Sequence, residues 1–321
     1  MSLDGPAKRI ITIPFPAAAI MIAVDGGVEH VVGMHEFSWT AARDGVLGSF
    51  FPNVKDVKHD LASEGFAPNL ESILALEPDL VVQWSSQGDE LITPLDGAGL
   101  NVMGVEYGTI DDVAQWLTMF STALGKPERG VEMAARLKAD LGNEKARGLK
   151  RSGKQPSVLY FNRFVEGLKV AGAGTLNNDY ITLVGASNAA AEVKGLVDVD
   201  LEQVLSWDPD IILLGNFDAA LPDDVYGDKR WKDVSAVTSK RVYKVPLGGY
   251  RWDPPSHESP LMWRWLSQIA YPDGTDGGLH DKVLDDYGFF YGQKPTQTQL
   301  SSILWAEVNS VSADYEPFDK L

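Results

Sequence analysis

The chain has 321 residues, room for two ordinary domains, and its 44% hydrophobic and 23% charged residues are the composition of a folded globular protein. Lys and Arg number 28 against 45 Asp and Glu, and the net charge of −17 leaves no electrostatic footprint for nucleic acid or an anionic membrane face. Cysteine is absent, which excludes disulfides, thiolate metal sites and a Cys nucleophile.

Lys8 and Arg9 followed by Ile10 to Val24 superficially resemble a secretory signal, but Pro14 and Pro16 interrupt the run and no small-residue cleavage pattern follows. The segment reads as a first strand and helix, and no run of about 18 apolar residues offers a membrane span. Further strands are expected at His30 to Gly33, Asp79 to Gln83, Asn101 to Val105, Ser157 to Phe161, Leu168 to Val170, Asp210 to Leu214 and Arg241 to Val245. Each is a short aliphatic run bounded by Gly, Pro or Asp, as buried parallel strands are. Helical patterns lie between most of them, so the fold class is α/β.

An internal repeat organises the chain. Asn69 to Val82 recurs as Asp200 to Leu213 at a constant offset of 131, with Leu70, Glu71, Leu74, Pro78 and Asp79 matched by Leu201, Glu202, Leu205, Pro209 and Asp210. In each copy Asn69 or Asp200 caps a short helix, an apolar pair at spacing four faces the core, and Pro-Asp ends the helix and opens a buried strand. Two such units imply two lobes of similar architecture.

Lys126 to Leu149 reads as a helix with Pro127 in its first turn and an apolar stripe of Val131, Ala134, Leu137 and Leu141, weakened locally by Gly130 and Gly142. Some twenty helical residues span about 30 Å, so one long helix joining the lobes is expected in place of several crossing strands. Two tail helices are expected, at Asp281 to Tyr291, with Val283, Leu284, Tyr287 and Phe290 on one face, and at Gln297 to Asn309.

The repeated unit Asn-Leu-Glu-x-Ile-Leu-x-Leu-x-Pro-Asp-Leu-Val, placed on both sides of a connecting helix, resembles the helical-backbone (class III) substrate-binding proteins of ABC importers, relatives of ferric-siderophore, haem and cobalamin binders. The opening run Arg9 to Pro16, the run Val31 to His35, and Trp231 to Val237 followed by Arg241 to Pro246 carry the likeness further, over roughly Arg9 to Tyr271. The tail resembles extensions in the branch that takes iron chelates or oxyanions such as molybdate. The resemblance implies an N-terminal lobe over 9–125, a connecting helix over 126–150, a C-terminal lobe over 151–271 and a helical extension over 272–321. It implies two Rossmann-like lobes with the ligand in the cleft between them and only modest closure. It also implies that Glu71 and Glu202 engage basic residues of the membrane permease. A Glu two residues after an N-cap is also explained by the helix macrodipole, worth up to about 1 kcal/mol, and one side chain can fill both roles.

Loops beyond strand C-termini line the ligand crevice in open α/β sheets. That rule selects His35 and Trp39, Gln83 to Ser86 with Trp84, Glu106 and Tyr107, Asn162 and Arg163 with Phe164, Asn216 and Phe217, and Gly248 to Asp253 with Tyr250, Arg251 and Trp252. Their aromatic and amide character suits a bulky, partly apolar ligand, and Arg163 and Arg251 can neutralise an anionic one through forked hydrogen bonds. For any one of these residues, packing or a surface role is an equal explanation.

Gly172 to Asn177 begins like a dinucleotide fingerprint but lacks the third Gly, and a tight turn into a helix capped by Thr175 or Asn177 is the better reading. The five His residues (His30, His35, His59, His257 and His280) show no ligand spacing, so no dedicated metal site is expected. His257 and Glu258 read as a solvent-exposed loop before a helix capped by Ser259, and Trp231, Trp263 and Trp265 as packing residues. The expectation is a non-enzymatic, monomeric receptor, periplasmic or extracellular and membrane-associated, with no cofactor of its own. It takes a metal chelate of the ferric siderophore type. Haem is the first rival, with His35, Tyr107 or Tyr250 as axial ligand; cobalamin and molybdate-like oxyanions follow. Rivals of other classes are a metal chelatase using His35 and Glu36, and an interaction module with no small ligand.

Overall fold

Among the described residues ten short strands form, most of them where aliphatic and β-branched residues cluster. The structure, a computed structural model, describes residues 3–107, 109–272 and 278–319. Its strands are β1 (Ile10–Thr12), β2 (Val31–Met34), β3 (Leu80–Trp84), β4 (Val102–Val105), β5 (Ser157–Arg163), β6 (Lys169–Ala171), β7 (Ser187–Asn188), β8 (Leu196–Asp198), β9 (Ile211–Leu214) and β10 (Val242–Lys244). The chain divides into two compact units. Unit 1 comprises Met1–Ala139, Pro255–Glu258 and Asp285–Lys294; unit 2 comprises Asp140–Pro254, Ser259–Leu284 and Pro295–Leu321. The division falls within the helix Pro127–Gly148 and again within the helix Leu279–Tyr291.

Unit 1 is built on a parallel sheet of order β2-β1-β3-β4. Thr12 pairs with Met34 and Val82, and Trp84 with Val105, so the strands finish close together. Leu61, Ile73, Val81 and Leu95 pack on Ile11 and Ile13 to form a core cluster. The helix Ala17–Asp25, apolar along almost its whole length, is buried from Ala17 to Val24. Gly26 then ends it in the left-handed conformation at φ 79°.

Unit 2 has the order β10-β9-β5-β6-β8, with β7 also on β5. β10, β9, β5 and β7 are parallel; β6 pairs antiparallel with both of its neighbours, β5 and β8, and so is the one reversed strand of this sheet among the described residues. The expected parallel strand at Leu168 to Val170 is therefore corrected: Gly167, at φ 128°, turns the chain straight back onto β5. β7 and β8 were not anticipated, because two or three residues with polar members leave no apolar run to read.

Both repeat copies fold alike. Asn69 accepts a hydrogen bond from the Ser72 N–H (3.2 Å) and opens the helix Leu70–Leu74; Asp200 accepts one from Gln203 (2.8 Å) and opens Leu201–Trp207. Glu77 and Asp208 then adopt left-handed backbone, at φ 45° and 41°, and turn the chain into Pro-Asp. Asp79 accepts from the N–H groups of Lys8 and Arg9 at 2.7 and 3.0 Å, while Asp210 accepts from that of Ser157 at 2.9 Å. The repeat thus fastens the start of the first strand in each unit. One expectation fails. Ile73 and Val204 are buried with partly buried Leu70 and Leu201 beside them, whereas Leu74 is 43% and Leu205 39% exposed. The core-facing pair, Leu70 with Ile73 and Leu201 with Val204, has spacing three, which lies on one helix face as spacing four does.

The long helix is also re-faced. Val131, expected on the apolar stripe, is 61% exposed, and the buried side carries Gly130, Met133 and Leu137. Gly130 is a close-approach position: a Cβ there would lie 1.9 Å from Ser121 Oγ and 2.5 Å from the Leu117 carbonyl oxygen. The expected tail helix Gln297 to Asn309 is broken into Gln297–Ile303 and Ala306–Asn309, since Trp305 between them has φ 52°. No helix among the described residues is long and apolar enough to cross a membrane.

Candidate functional site

At the strand C-termini of unit 1, side chains from five separate segments form an aromatic cluster. Phe15 follows β1, His35 follows β2, Trp84 ends β3 and Tyr107 follows β4, while Phe66 comes from the loop before the first repeat helix. Trp84 meets Phe66 at 5.7 Å, Tyr107 at 5.5 Å and Trp116 at 5.6 Å between ring centroids; Phe15 meets Phe66 at 4.7 Å and Phe37 at 5.3 Å. Such edge and tilted contacts contribute about 0.5–1.5 kcal/mol each beyond burial.

Backbone anchors hold these rings. Ser38 Oγ donates to the Phe15 carbonyl at 2.7 Å. The buried Gln83 side chain donates to the Phe66 carbonyl at 3.0 Å and accepts from the Trp84 N–H at 2.8 Å, which fixes Phe66 in its left-handed conformation (φ 67°) against Trp84. The Trp116 indole donates to the Glu106 carbonyl at 3.0 Å and so positions the residue before Tyr107. Phe15, Phe37 and Phe66 are half-buried and Tyr107 is 44% exposed, so the cluster keeps an accessible apolar face.

His35 is buried among these rings, and both its ring nitrogens are engaged. Nδ1 accepts from the Phe37 N–H at 3.1 Å, capping the helix Glu36–Asp44, and Nε2 donates to the Ser63 carbonyl at 3.0 Å. This is a neutral structural histidine, which corrects its expected roles as axial iron ligand and chelatase residue. Glu36 instead pairs with His59 at the surface. At half-buried Trp39, His59 stacks on the ring at 4.0 Å, Arg43 lies over it at 4.6 Å, and the indole donates to the Lys55 carbonyl.

In unit 2, β9 and β10 end level and β5 runs two residues further, with Phe161 paired to Leu214 and Leu214 to Lys244. A polar knot ties these ends. The Asp253 carboxylate accepts from Tyr160 Oη at 2.8 Å and from the Asn216 N–H at 2.9 Å. Asn216 Nδ2 donates to the carbonyls of Val245 (2.9 Å) and Pro246 (3.1 Å), and Arg251 Nε donates to the Asn216 carbonyl at 2.9 Å. A Cβ on Gly215 would stand 2.6 Å from Tyr160 Oη and 2.9 Å from the Asp253 carboxylate, so only glycine admits this crossing. The buried Lys244 donates to the carbonyls of Gly215 (2.7 Å) and Asp218 (3.0 Å), and desolvation pulls its pKa below the usual lysine value.

The structure therefore brings Asn216, Arg251 and Asp253 together. Arg163 lies alongside, donating to the Phe217 carbonyl at 3.1 Å and pairing with Glu166, while Asn162 is half-buried on the adjoining end of β5. Tyr250 and Trp252 are buried, and burial pushes the Tyr250 phenol up to about 12. Glu71 and Glu202 are exposed at their helix starts. His257 and Glu258, expected in an exposed loop, are buried beneath Tyr287 and Tyr291. Ser259 is the first residue of the helix Ser259–Ala270, and its hydroxyl pairs with Tyr180 at 2.9 Å.

The sequence reasoning missed Phe15, Phe37, Phe66 and the knot role of Asp253. Phe15 directly follows β1, so the strand-end rule had it within reach. Phe66 carried no signal, because a residue in a connecting loop shows its role only once the loop is folded.

The family model for "Periplasmic binding protein" matches residues 18–247. The chain belongs to this family. A periplasmic solute binding protein from Veillonella parvula has a similar structure, with a TM-score of 0.88 and 32% identity, over 96% of this chain and 94% of that one. The molybdate-binding protein MolA of Haemophilus influenzae is 26% identical over 243 residues, 68% of each protein. The iron(3+)-hydroxamate-binding protein FhuD of Bacillus subtilis is 26% identical over 220 residues, 65% of this chain and 69% of FhuD. This periplasmic binding protein is the substrate-binding component of an ABC importer, with two α/β domains, and membership implies a membrane permease as its partner.

Proposed function

We propose that this periplasmic binding protein captures a metal chelate of the ferric siderophore type outside the cytoplasm and delivers it to the permease without chemical turnover. The accessible aromatic face of Phe15, Phe37, Phe66, Trp84 and Tyr107 carries this reading. Pockets for organic ligands are lined mainly by apolar and aromatic groups with a few placed polar ones, and a chelate offers a bulky organic shell to such a wall. Half-buried Arg163 and Asn162, at the end of β5, offer cationic and amide donors to anionic oxygens. FhuD, a relative, is named for a cargo of this type.

A bare oxyanion is the second reading, favoured by the similarity to MolA. It is the weaker one, because a small anion is recognised by converging N–H donors and gives an exposed Tyr107 and a half-buried Phe66 nothing to cover.

The test is an absorption spectrum of protein purified from its host, followed by thermal-shift titration with ferric siderophores, haem, cobalamin and molybdate. A ferric siderophore should raise the melting temperature, and Tyr107→Ala together with Phe66→Ala should weaken its binding about tenfold or more. A shift with molybdate alone, insensitive to these substitutions, would replace the chelate reading by the oxyanion one.

A further inference from the structure

The aromatic rings at the strand ends of unit 1 stand among carboxylates. The segments that bring them together, residues 14–16, 35–39, 63–68, 84–91 and 105–107, contain Glu36, Glu64, Asp89, Glu90 and Glu106 and no Lys or Arg. Glu36 is engaged by His59. Glu64 and Glu106 are exposed, and neither side chain makes an ion pair or a hydrogen bond among the described residues. Glu106 directly precedes Tyr107, with its carbonyl held by the Trp116 indole, and Glu64 follows Ser63, whose carbonyl accepts from His35 Nε2. Both carboxylates therefore sit on backbone that the cluster itself fixes. At the strand ends of unit 2 the acids are engaged instead: Glu166 pairs with Arg163, Asp218 accepts from the Phe164 and Val165 N–H groups, and Asp253 from Tyr160 and Asn216. A second observation is independent of charge. Trp84 is 3% exposed and touches Phe66, Tyr107 and Trp116, yet its indole N–H has no acceptor among the described residues. A buried donor without an acceptor is destabilising, and a ligand oxygen that reached it would remove the cost.

We infer that the cargo carries a protonated amine held against this face of unit 1, with Glu64 and Glu106 as the residues that select it. The chemical class is a chelate with a neutral metal core, as in a ferric trihydroxamate, and a free amino arm. The inference rests on the chelate reading above and narrows it. Ring faces attract a cation through their quadrupole, and carboxylates beside them act in the same direction. The same carboxylates repel a polyanion, so a ferric tricatecholate meets a surface of its own sign. An amino arm on an organic chain also gives the exposed Tyr107 and half-buried Phe66 an apolar stem to cover, which a bare metal cation does not. The oxygens of a hydroxamate are of the kind that the Trp84 indole lacks.

The experiment is calorimetric titration of the full chain, at low and high salt, with three probes. These are ferrioxamine B, a ferric trihydroxamate with one ammonium arm, its uncharged N-acetyl derivative, and trianionic ferric enterobactin. Ferrioxamine B should bind about fivefold or more tighter than the acetylated form, and ferric enterobactin most weakly. The preference for the amine should shrink at high salt. Glu64→Gln/Glu106→Gln should lose that preference while keeping the melting temperature and the affinity for the acetylated form, and Tyr107→Leu should reduce it as well. Equal affinity for the amine and its acetylated form would overturn the inference and leave the chelate reading standing. So would a preference that survives in the double Gln variant, or tighter binding of ferric enterobactin. No binding of any of the three, beside a thermal shift with molybdate, would overturn the chelate reading itself.

Discussion

Tyr291 donates its phenol hydrogen to a carboxylate oxygen of Glu258 at 2.5 Å, and Tyr287 donates to the other oxygen at 3.0 Å. Since the Tyr291 hydrogen is spent on Glu258, its oxygen accepts from His257 Nε2 at 2.8 Å. All four side chains are buried, and they join Pro255–Glu258 to Asp285–Lys294 within unit 1. Tyr291→Phe leaves a buried carboxylate short of a donor, which costs about 2–3 kcal/mol. Denaturant unfolding should show a lower midpoint at an unchanged slope.

Acidification should act through His257. Burial, with a smaller contribution from Arg129, lowers its pKa from 6.5 to about 3. Between those values the unfolded chain takes up a proton that the folded one refuses. The folded state is therefore fully favoured above about pH 6.5 and loses stability as pH falls toward about 3, by on the order of 5 kcal/mol at most. Thermal midpoints recorded from pH 7.5 to 5 should fall for the wild type and fall less for His257→Gln.

The paired left-handed residues should respond in opposite directions. Asp208 accepts from the Ser235 N–H at 2.7 Å and hydroxyl at 2.8 Å, whereas no hydrogen bond to the Glu77 side chain is seen among the described residues. Glu77→Gly relieves backbone strain of about 1 kcal/mol and should raise the melting temperature slightly. Asp208→Gly gains the same relief but loses both bonds, and should lower it.

Replacing both Glu71 and Glu202 by Ala should abolish uptake and leave ligand affinity intact, because the two carboxylates lie at exposed helix starts and take no part in the hydrogen bonds described for the aromatic cluster of unit 1 and the polar knot of unit 2. Transport of radiolabelled ferric siderophore into cells, beside titration of the purified variant, checks both halves. Unchanged uptake would return these residues to a role in the helix starts alone.

The sequence by itself determined the α/β class, most strands to within a residue or two, and the duplicated unit. Those features follow from capping residues, Pro-Asp boundaries and apolar runs, whose effects act over a few residues of chain. Tertiary structure decided which residues meet. It turned Leu74 and Leu205 outward, enclosed His35, His257 and Glu258, and gathered Phe15, Phe37, Phe66, Trp84 and Tyr107 onto one set of strand ends. Burial is a property of the neighbours a side chain acquires from distant segments, and periodicity along one segment carries no record of what folds over it.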